Sequence, residues 1–219
     1  MEKIKEKVWK IFNTVIFSTL IKIDTENIYH INSATEPIIF ICNHLSNFDA
    51  VALNRVLSVK NPYYVSGIKL SKNKKTNFVL DFFKTIKIKP ESVDIQAIKK
   101  IIEVVKNGDN VVIFPEGTRS RTKALIEGKR GTAYVAIKTN ATIIPIGITG
   151  TEKVLPINDN DMGAEKLHCG KIKIKFGKPY KIPKKNPDIS KKQFEAEITD
   201  YMMNSIAELL PEEYRGFYA

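Results

Sequence analysis

Residues 37–49 read PIIFICNHLSNFD. The first part, 37–42, is a short apolar run bounded by polar residues, which is typical of a strand buried on both faces. The second part, 43–49, is polar and contains a histidine and an aspartate, His44 and Asp49. This abrupt change predicts a buried strand whose carboxyl end opens into a functional loop.

A second stretch, NVVIFPEGTRS at residues 110–120, repeats this design. Residues 110–114 are predicted to form another buried strand, and 115–120 are again polar. Ligands of open α/β sheets bind outside the carboxyl ends of strands. We therefore expect the two polar clusters to lie together at one edge of the sheet.

Strand-like and helix-like segments alternate along the rest of the chain. Further strands are predicted at 27–31, 62–66, 85–88, 142–149 and 171–176, and helices at 2–22, 48–59, 70–83, 92–106, 128–139 and 190–210. This alternation is typical of βαβ units. The expected fold class is α/β, a single domain with a mostly parallel twisted sheet flanked by helices and an N-terminal amphipathic helix.

The 219-residue chain contains no Pro/Gly/Ser-rich linker, so we predict a helix over 1–22 and one domain over 23–219. The apolar part of that helix is shorter than the ~20 residues needed to span a bilayer. Its lysines and wide apolar side suit a membrane interface, and the alternative is packing on its own domain.

The chain has 35 Lys and Arg against 24 Asp and Glu, a net charge of +11 that implies an anionic partner. An anionic membrane surface is expected, and this favours a position of the helix in the membrane interface. No nucleic-acid-binding motif is recognisable, so nucleic acid is not expected. Two widely separated cysteines give neither a disulfide framework nor a zinc pattern, which suits the cytosol.

The cluster at 43–49 suits proton transfer. Histidine takes and gives protons near neutral pH, and Asp49 can hold the imidazole of His44 in one tautomer. One alternative makes Asp49 only a helix-start residue and His44 a solvated loop residue. Another makes Ser46 a nucleophile, although no G-x-S-x-G turn surrounds it.

The cluster at 115–120 suits anion binding. Its arginine fork, its hydroxyls and the backbone at a glycine are groups that hold a phosphate or carboxylate. These residues are Glu116, Gly117, Thr118, Arg119 and Ser120. Glu116 can orient the Arg119 guanidinium or contact hydroxyls of a substrate. The alternative is an exposed loop with a surface ion pair.

Together the clusters resemble the signature of the glycerolipid acyltransferase family, typified by bacterial 1-acylglycerol-3-phosphate acyltransferases. The N-H-x-x-x-x-D block is matched by Asn43, His44 and Asp49, and the F-P-E-G-T-R-S block by residues 114–120. Lys129, Gly131 and the Ile144-Pro145-Ile146 strand extend the similarity over about residues 30–180.

The resemblance implies transfer of a fatty acyl group from acyl-CoA or acyl carrier protein to 1-acylglycerol 3-phosphate, making phosphatidic acid. His44 would be the general base and Asp49 its orienting partner, and Asn43 and residues 116–120 would bind the lysophospholipid. No metal or further cofactor is expected. The implied location is the cytoplasmic face of the membrane, as a peripheral protein.

The sequence departs from the family at 84–90, where Pro90 replaces a phosphate-binding arginine. Lys87 or Lys89 is predicted to supply the missing charge. The acceptor could instead be glycerol 3-phosphate or another lysophospholipid. A non-catalytic lipid-surface binding protein is the alternative of another class, and it would leave His44 and Asp49 unexplained.

Overall fold

One sheet organises the computed structural model, which describes residues 9, 11, 13–68, 82–89, 94–158 and 164–219. The described strands are β1 (Ile21–Glu26), β2 (Ile38–Cys42), β3 (Tyr63–Gly67), β4 (Thr85–Ile88), β5 (Val111–Ile113), β6 (Thr142–Thr149) and β7 (Gly170–Phe176). Their order across the sheet is β1-β7-β6-β2-β5-β3-β4. All pairs are parallel except β6 with β7, which confirms the predicted α/β fold.

Helices cover both faces of this sheet. They are α1 (Tyr29–Ser33), α2 (Asp49–Leu57), α3 (Ile95–Lys106), α4 (Arg130–Thr139), α5 (Thr151–Val154) and α6 (Lys191–Ala207). Every residue of β2 is fully buried. Ile38, Phe40 and Cys42 join a core cluster with α2, and Ile39 and Ile41 join a second cluster with α3, α4 and α6. The apolar run at 37–42 therefore forms the predicted buried strand, and it lies at the centre of the sheet.

The amino-terminal part of the fold differs from the prediction. The strand expected at 27–31 is wrong, because Tyr29–Ser33 is helical and Asn27 turns the chain at a φ of 57°. Instead, β1 occupies 21–26 and pairs with β7, so the predicted helix over 2–22 ends before residue 21. Ion pairs between the two strands, such as Lys173 Nζ to Glu26 Oε1 at 2.6 Å, use the alternating charges of β1.

The described part of the N-terminal helix has two apolar sides. Trp9 stacks on Phe82 with ring centroids 4.7 Å apart, and Ile16 is buried in the core. Ile11 and Val15 are 55% and 51% exposed. The helix therefore packs on its own domain with one side and presents apolar side chains to the surroundings with the other. Across the described ranges, no helix is long and apolar enough to cross a bilayer.

The other predicted elements agree with the structure except at their ends. Helix α3 begins at Ile95, because the Asp94 carboxylate caps it by accepting from the Ala97 N–H at 3.0 Å. The predicted start at Ser92, Pro90, and most of the predicted helix over 70–83 lie outside the described residues.

Candidate active site

The two polar clusters meet at the carboxyl edge of the sheet. β2 and β5 are parallel neighbours, with Ile39 opposite Val111 and Ile41 opposite Ile113. The loops that follow these strands therefore lie side by side, and the Ser120 N–H donates to the His44 carbonyl at 2.8 Å. The order of the strands therefore brings the two clusters together, as predicted.

His44 and Asp49 form a hydrogen-bonded pair. The distance from His44 Nδ1 to Asp49 Oδ2 is 2.7 Å. The same oxygen accepts from the backbone N–H groups of Leu45 at 2.7 Å and Ser46 at 2.9 Å. An oxygen that faces two backbone donors acts as an acceptor, so Nδ1 of His44 carries a proton, and in the neutral imidazole Nε2 is the nitrogen with the lone pair. The pair is thus arranged to take a proton at Nε2.

The surroundings of this pair hold the imidazole in one orientation. Asp49 is fully buried in the first turn of α2. The His44 ring stacks on Phe114, with centroids 4.1 Å apart and an interplanar angle of 18°. The His44 side chain is 18% exposed. A buried carboxylate and a flat aromatic neighbour therefore fix a histidine that still reaches the surface.

Ser46 has other partners than the histidine. Its hydroxyl donates to the Leu155 carbonyl at 2.7 Å and accepts from the Phe48 N–H at 3.1 Å. A serine nucleophile needs its hydroxyl proton directed at the base. The geometry therefore gives no support to Ser46 as the nucleophile.

Glu116 connects the two clusters. Its Oε1 accepts from the His44 N–H at 2.7 Å, and its Oε2 accepts from the Ile126 N–H at 3.0 Å. The side chain is almost fully buried. Burial raises the pKa of this carboxyl to about 7, although the Ile126 and His44 N–H donors act to lower it. Both oxygens are bound to backbone, so Glu116 joins loops and does not orient Arg119.

The carboxylate beside Arg119 belongs to Glu165. Arg119 Nη1 lies 2.8 Å from Glu165 Oε1. Asn47 Nδ2 donates to both oxygens of the same carboxylate, at 3.0 and 3.2 Å. Glu165 lies between α5 and β7 and belongs to no motif, so no signal in the sequence marks it.

Two of the predicted binding residues are buried, and their side chains are hydrogen-bonded to the backbone. The Asn43 side-chain amide donates to the Ile148 carbonyl at 2.9 Å and accepts from the Ile148 N–H at 2.8 Å. The Ser120 hydroxyl donates to the Ala124 carbonyl at 2.5 Å. The structure does not offer Asn43 or Ser120 to a substrate, because each side chain completes the backbone hydrogen bonding of a neighbouring segment.

Gly117 and Thr118 are exposed at the surface of the site. Gly117 has a φ of 69°, which side chains rarely adopt, and a Cβ built there would lie 2.9 Å from Lys129 Cδ. The backbone conformation therefore favours glycine at this position, whereas the flexible end of the Lys129 side chain could move aside. These two residues and the partly buried Arg119 form the part of the second cluster that reaches the surface.

Lys87 lies in β4, and Lys89 directly follows this strand. β4 is the edge strand, three strand spacings from β2, which amounts to roughly 14 Å. The Lys89 backbone N–H binds Asp94 Oδ2 at 3.0 Å at the start of α3. The predicted replacement of the family arginine by one of these lysines stays a prediction.

The mostly parallel sheet has a His–Asp pair and an arginine loop at the ends of adjacent strands, which is the arrangement expected from the two motifs. The family model described as Acyltransferase matches residues 21–149, more than half of the chain, so the chain belongs to the acyltransferase family.

Individual relatives carry more specific names. The chain is 26% identical over 174 residues to a chloroplastic 1-acyl-sn-glycerol-3-phosphate acyltransferase of Brassica napus, over 78% of this chain and 48% of the relative. It is 28% identical over 181 residues to the enzyme of that name from Escherichia coli, over 78% of this chain and 67% of the relative. The chain thus spans about half the length of the plant relatives it matches.

A solved structure shares the fold. The crystal structure of the 1-acyl-sn-glycerophosphate (LPA) acyltransferase PlsC from Thermotoga maritima superposes with a TM-score of 0.67 at 24% identity. The match covers 95% of this chain and 82% of that chain.

Proposed function

We propose that this chain transfers a fatty acyl group to the free hydroxyl of 1-acylglycerol 3-phosphate, making phosphatidic acid. The single observation that carries the proposal is the 2.7 Å hydrogen bond from His44 Nδ1 to Asp49 Oδ2, beside the loop that contains Arg119. The names of the Brassica napus and Escherichia coli relatives support this choice of acceptor.

The chemistry follows from the state of the histidine. His44 Nε2 takes the proton of the acceptor hydroxyl while the hydroxyl oxygen attacks the thioester carbonyl of acyl-CoA or acyl carrier protein. The C–S bond breaks as the C–O bond is completed, and the departing thiolate takes the proton back from the imidazolium. Asp49 stabilises the imidazolium between these steps. The sequence of steps needs neither a metal nor a covalent acyl-enzyme.

The acceptor phosphate is assigned to the part of the second cluster that reaches the surface. Arg119 supplies a planar fork that suits phosphate oxygens, and Gly117 and Thr118 are exposed beside it. Asn43, Glu116 and Ser120 are given a supporting role, because their polar atoms bind backbone. Glycerol 3-phosphate and other lysophospholipids remain the alternative acceptors.

Aromatic side chains lie next to the catalytic pair. Phe48, the neighbour of Asp49, contacts Phe17 with ring centroids 6.0 Å apart. Trp9 and Phe82 continue this aromatic cluster and are only partly buried. We assign the acyl chain to this side of the site.

We further propose a peripheral position on the cytoplasmic face of an anionic membrane. The exposed Ile11 and Val15 would enter the lipid interface, while Trp9 and Ile16 hold the helix on the domain. The net charge of +11 favours such a surface.

The deciding experiment is an acyl-transfer assay of the wild type and His44→Ala with a panel of acceptors. Wild-type turnover with 1-acylglycerol 3-phosphate, and a loss on the order of 10³-fold in His44→Ala, is the expected result. Turnover that survives the substitution contradicts the mechanism. If the wild type acylates no acceptor but binds lipid vesicles, the chain is a non-catalytic lipid-surface binding protein.

A further inference from the structure

Arg119, the proposed phosphate ligand, is already engaged by a carboxylate. Its Nη1 atom lies 2.8 Å from Glu165 Oε1, and the two side chains are only 14% and 4% exposed. Solvent weakens exposed ion pairs, but an ion pair as buried as this one is screened far less. The guanidinium charge is therefore largely neutralised within the chain.

Glu165 is also held by the catalytic loop. Asn47 Nδ2 donates to its Oε1 at 3.0 Å and to its Oε2 at 3.2 Å. Leu155, at the end of α5, is also bound to this loop, because the Ser46 hydroxyl donates to the Leu155 carbonyl at 2.7 Å. The carboxylate is thus placed between the His44 loop and the Arg119 loop.

A carboxylate and a phosphate offer the same kind of oxygen acceptor to a guanidinium. Two anions side by side on Arg119 would repel each other strongly in a poorly screened site. We propose that Glu165 is an internal competitor for the Arg119 fork, and that an acceptor phosphate binds by taking the guanidinium from this carboxylate.

This inference rests on the proposed function only in taking Arg119 as the phosphate ligand. Arg119 exchanges between a state bound to Glu165 and a state bound to phosphate. The apparent affinity for phosphate is lowered by the fraction of time that Arg119 is available. Glu165 therefore sets how much phosphorylated acceptor is needed to fill the site.

Calorimetric titration with glycerol 3-phosphate, a soluble phosphate monoester, tests the competition without catalysis. Glu165→Gln keeps the shape and the acceptor for Asn47 but removes the charge. Its dissociation constant is expected to fall on the order of tenfold, which corresponds to a fork engaged by Glu165 about nine-tenths of the time. Glu36→Gln, which removes the carboxylate of the Glu36–Lys60 ion pair, is the matched control and should bind as the wild type does.

The double variant Arg119→Gln/Glu165→Gln should not show the tighter binding of glycerol 3-phosphate, because the guanidinium is absent. Glu165→Ala should shift in the same direction as Glu165→Gln, and a thermal melt of each variant verifies folding. Unchanged or weaker binding in both Glu165 variants overturns the competition and makes Glu165 a support for Arg119. A binding shift in a chain that acylates no acceptor overturns the proposed function and leaves the competition standing.

Discussion

The backbone N–H of His44 donates to Glu116 Oε1 over 2.7 Å, across 72 positions of sequence. The other carboxylate oxygen binds the Ile126 N–H at 3.0 Å. A residue of the second motif thereby fixes the backbone at the histidine of the first. The two motifs form one hydrogen-bonded unit in which the position of the base depends on a buried carboxyl.

The raised pKa of Glu116 predicts a pH-dependent stability. Its carboxyl has a pKa of about 7 in the folded chain against a reference value of 4.5. The folded state thus binds the proton more tightly than the unfolded state. The protonated Glu116 carboxyl therefore stabilises the folded state fully below pH 4.5. This contribution to the free energy of unfolding, about 3 kcal/mol in total, is lost as the pH rises through 7.

Glu116→Gln removes this titration. Urea unfolding of the wild type and of the variant between pH 4.5 and 8 therefore measures the contribution of the Glu116 carboxyl. The free energy of unfolding of the wild type, minus that of the variant, should fall by about 3 kcal/mol over this range. Other titrating groups cancel in the difference. Parallel pH profiles for the two proteins would contradict the raised pKa.

Asp49→Asn tests the charge of the catalytic pair. The amide oxygen can still accept from His44 Nδ1, but a neutral amide does not stabilise the imidazolium. We expect kcat/KM for acyl transfer to fall on the order of 10³-fold. Asp109→Asn is the matched control, because Asp109 is an exposed carboxylate that precedes β5. Retention of activity in Asp49→Asn would exclude a charge-stabilising role for Asp49.

Asn43→Ala tests whether Asn43 serves structure or substrate. The change leaves both the N–H and the carbonyl of the buried Ile148 without their side-chain partner. We expect the free energy of unfolding to fall by roughly 2–4 kcal/mol. Asn204→Ala on the exposed face of α6 should change it by less than about 0.5 kcal/mol. A raised KM with unchanged stability would instead assign Asn43 to the substrate.

Val15→Ser tests the proposed membrane side. Val15 is 51% exposed on the N-terminal helix, and Val59, which is 89% exposed at the end of α2, provides a matched valine. Loss of one buried valine side chain from lipid costs about 1.5 kcal/mol, or roughly tenfold in binding. Co-sedimentation with phosphatidylglycerol vesicles should show this loss in Val15→Ser and not in Val59→Ser. Equal binding of the two variants would place the membrane surface elsewhere.

The strands that position the site were predictable because their sequences are unambiguous. The runs at 37–42 and 111–114 are apolar throughout, and runs this short between polar loops favour a strand covered on both faces over a helix. β1 was missed because its alternating Ile21, Lys22 and Ile23 follow directly on a helical pattern. Local patterns do not reveal that β7 pairs with this segment.

The site was predictable in its location and less so in its roles. His44 and Asp49 are close in sequence, so their hydrogen bond follows from one turn of chain. Asn43, Glu116 and Ser120 are polar motif residues, and sequence alone does not tell a buried polar side chain from a binding one. Glu165 reaches Arg119 only through tertiary structure.

These sequence separations imply an order in which the site is assembled. The His44–Asp49 hydrogen bond closes a loop of five positions, whereas the Asn47–Glu165 contact closes one of 118. Short loops close fast and at small entropic cost, and long ones must wait for strands to pair. During synthesis or refolding we therefore expect the His44–Asp49 hydrogen bond to precede the Asn47–Glu165 contact, which forms only when the segment before β7 has reached the sheet.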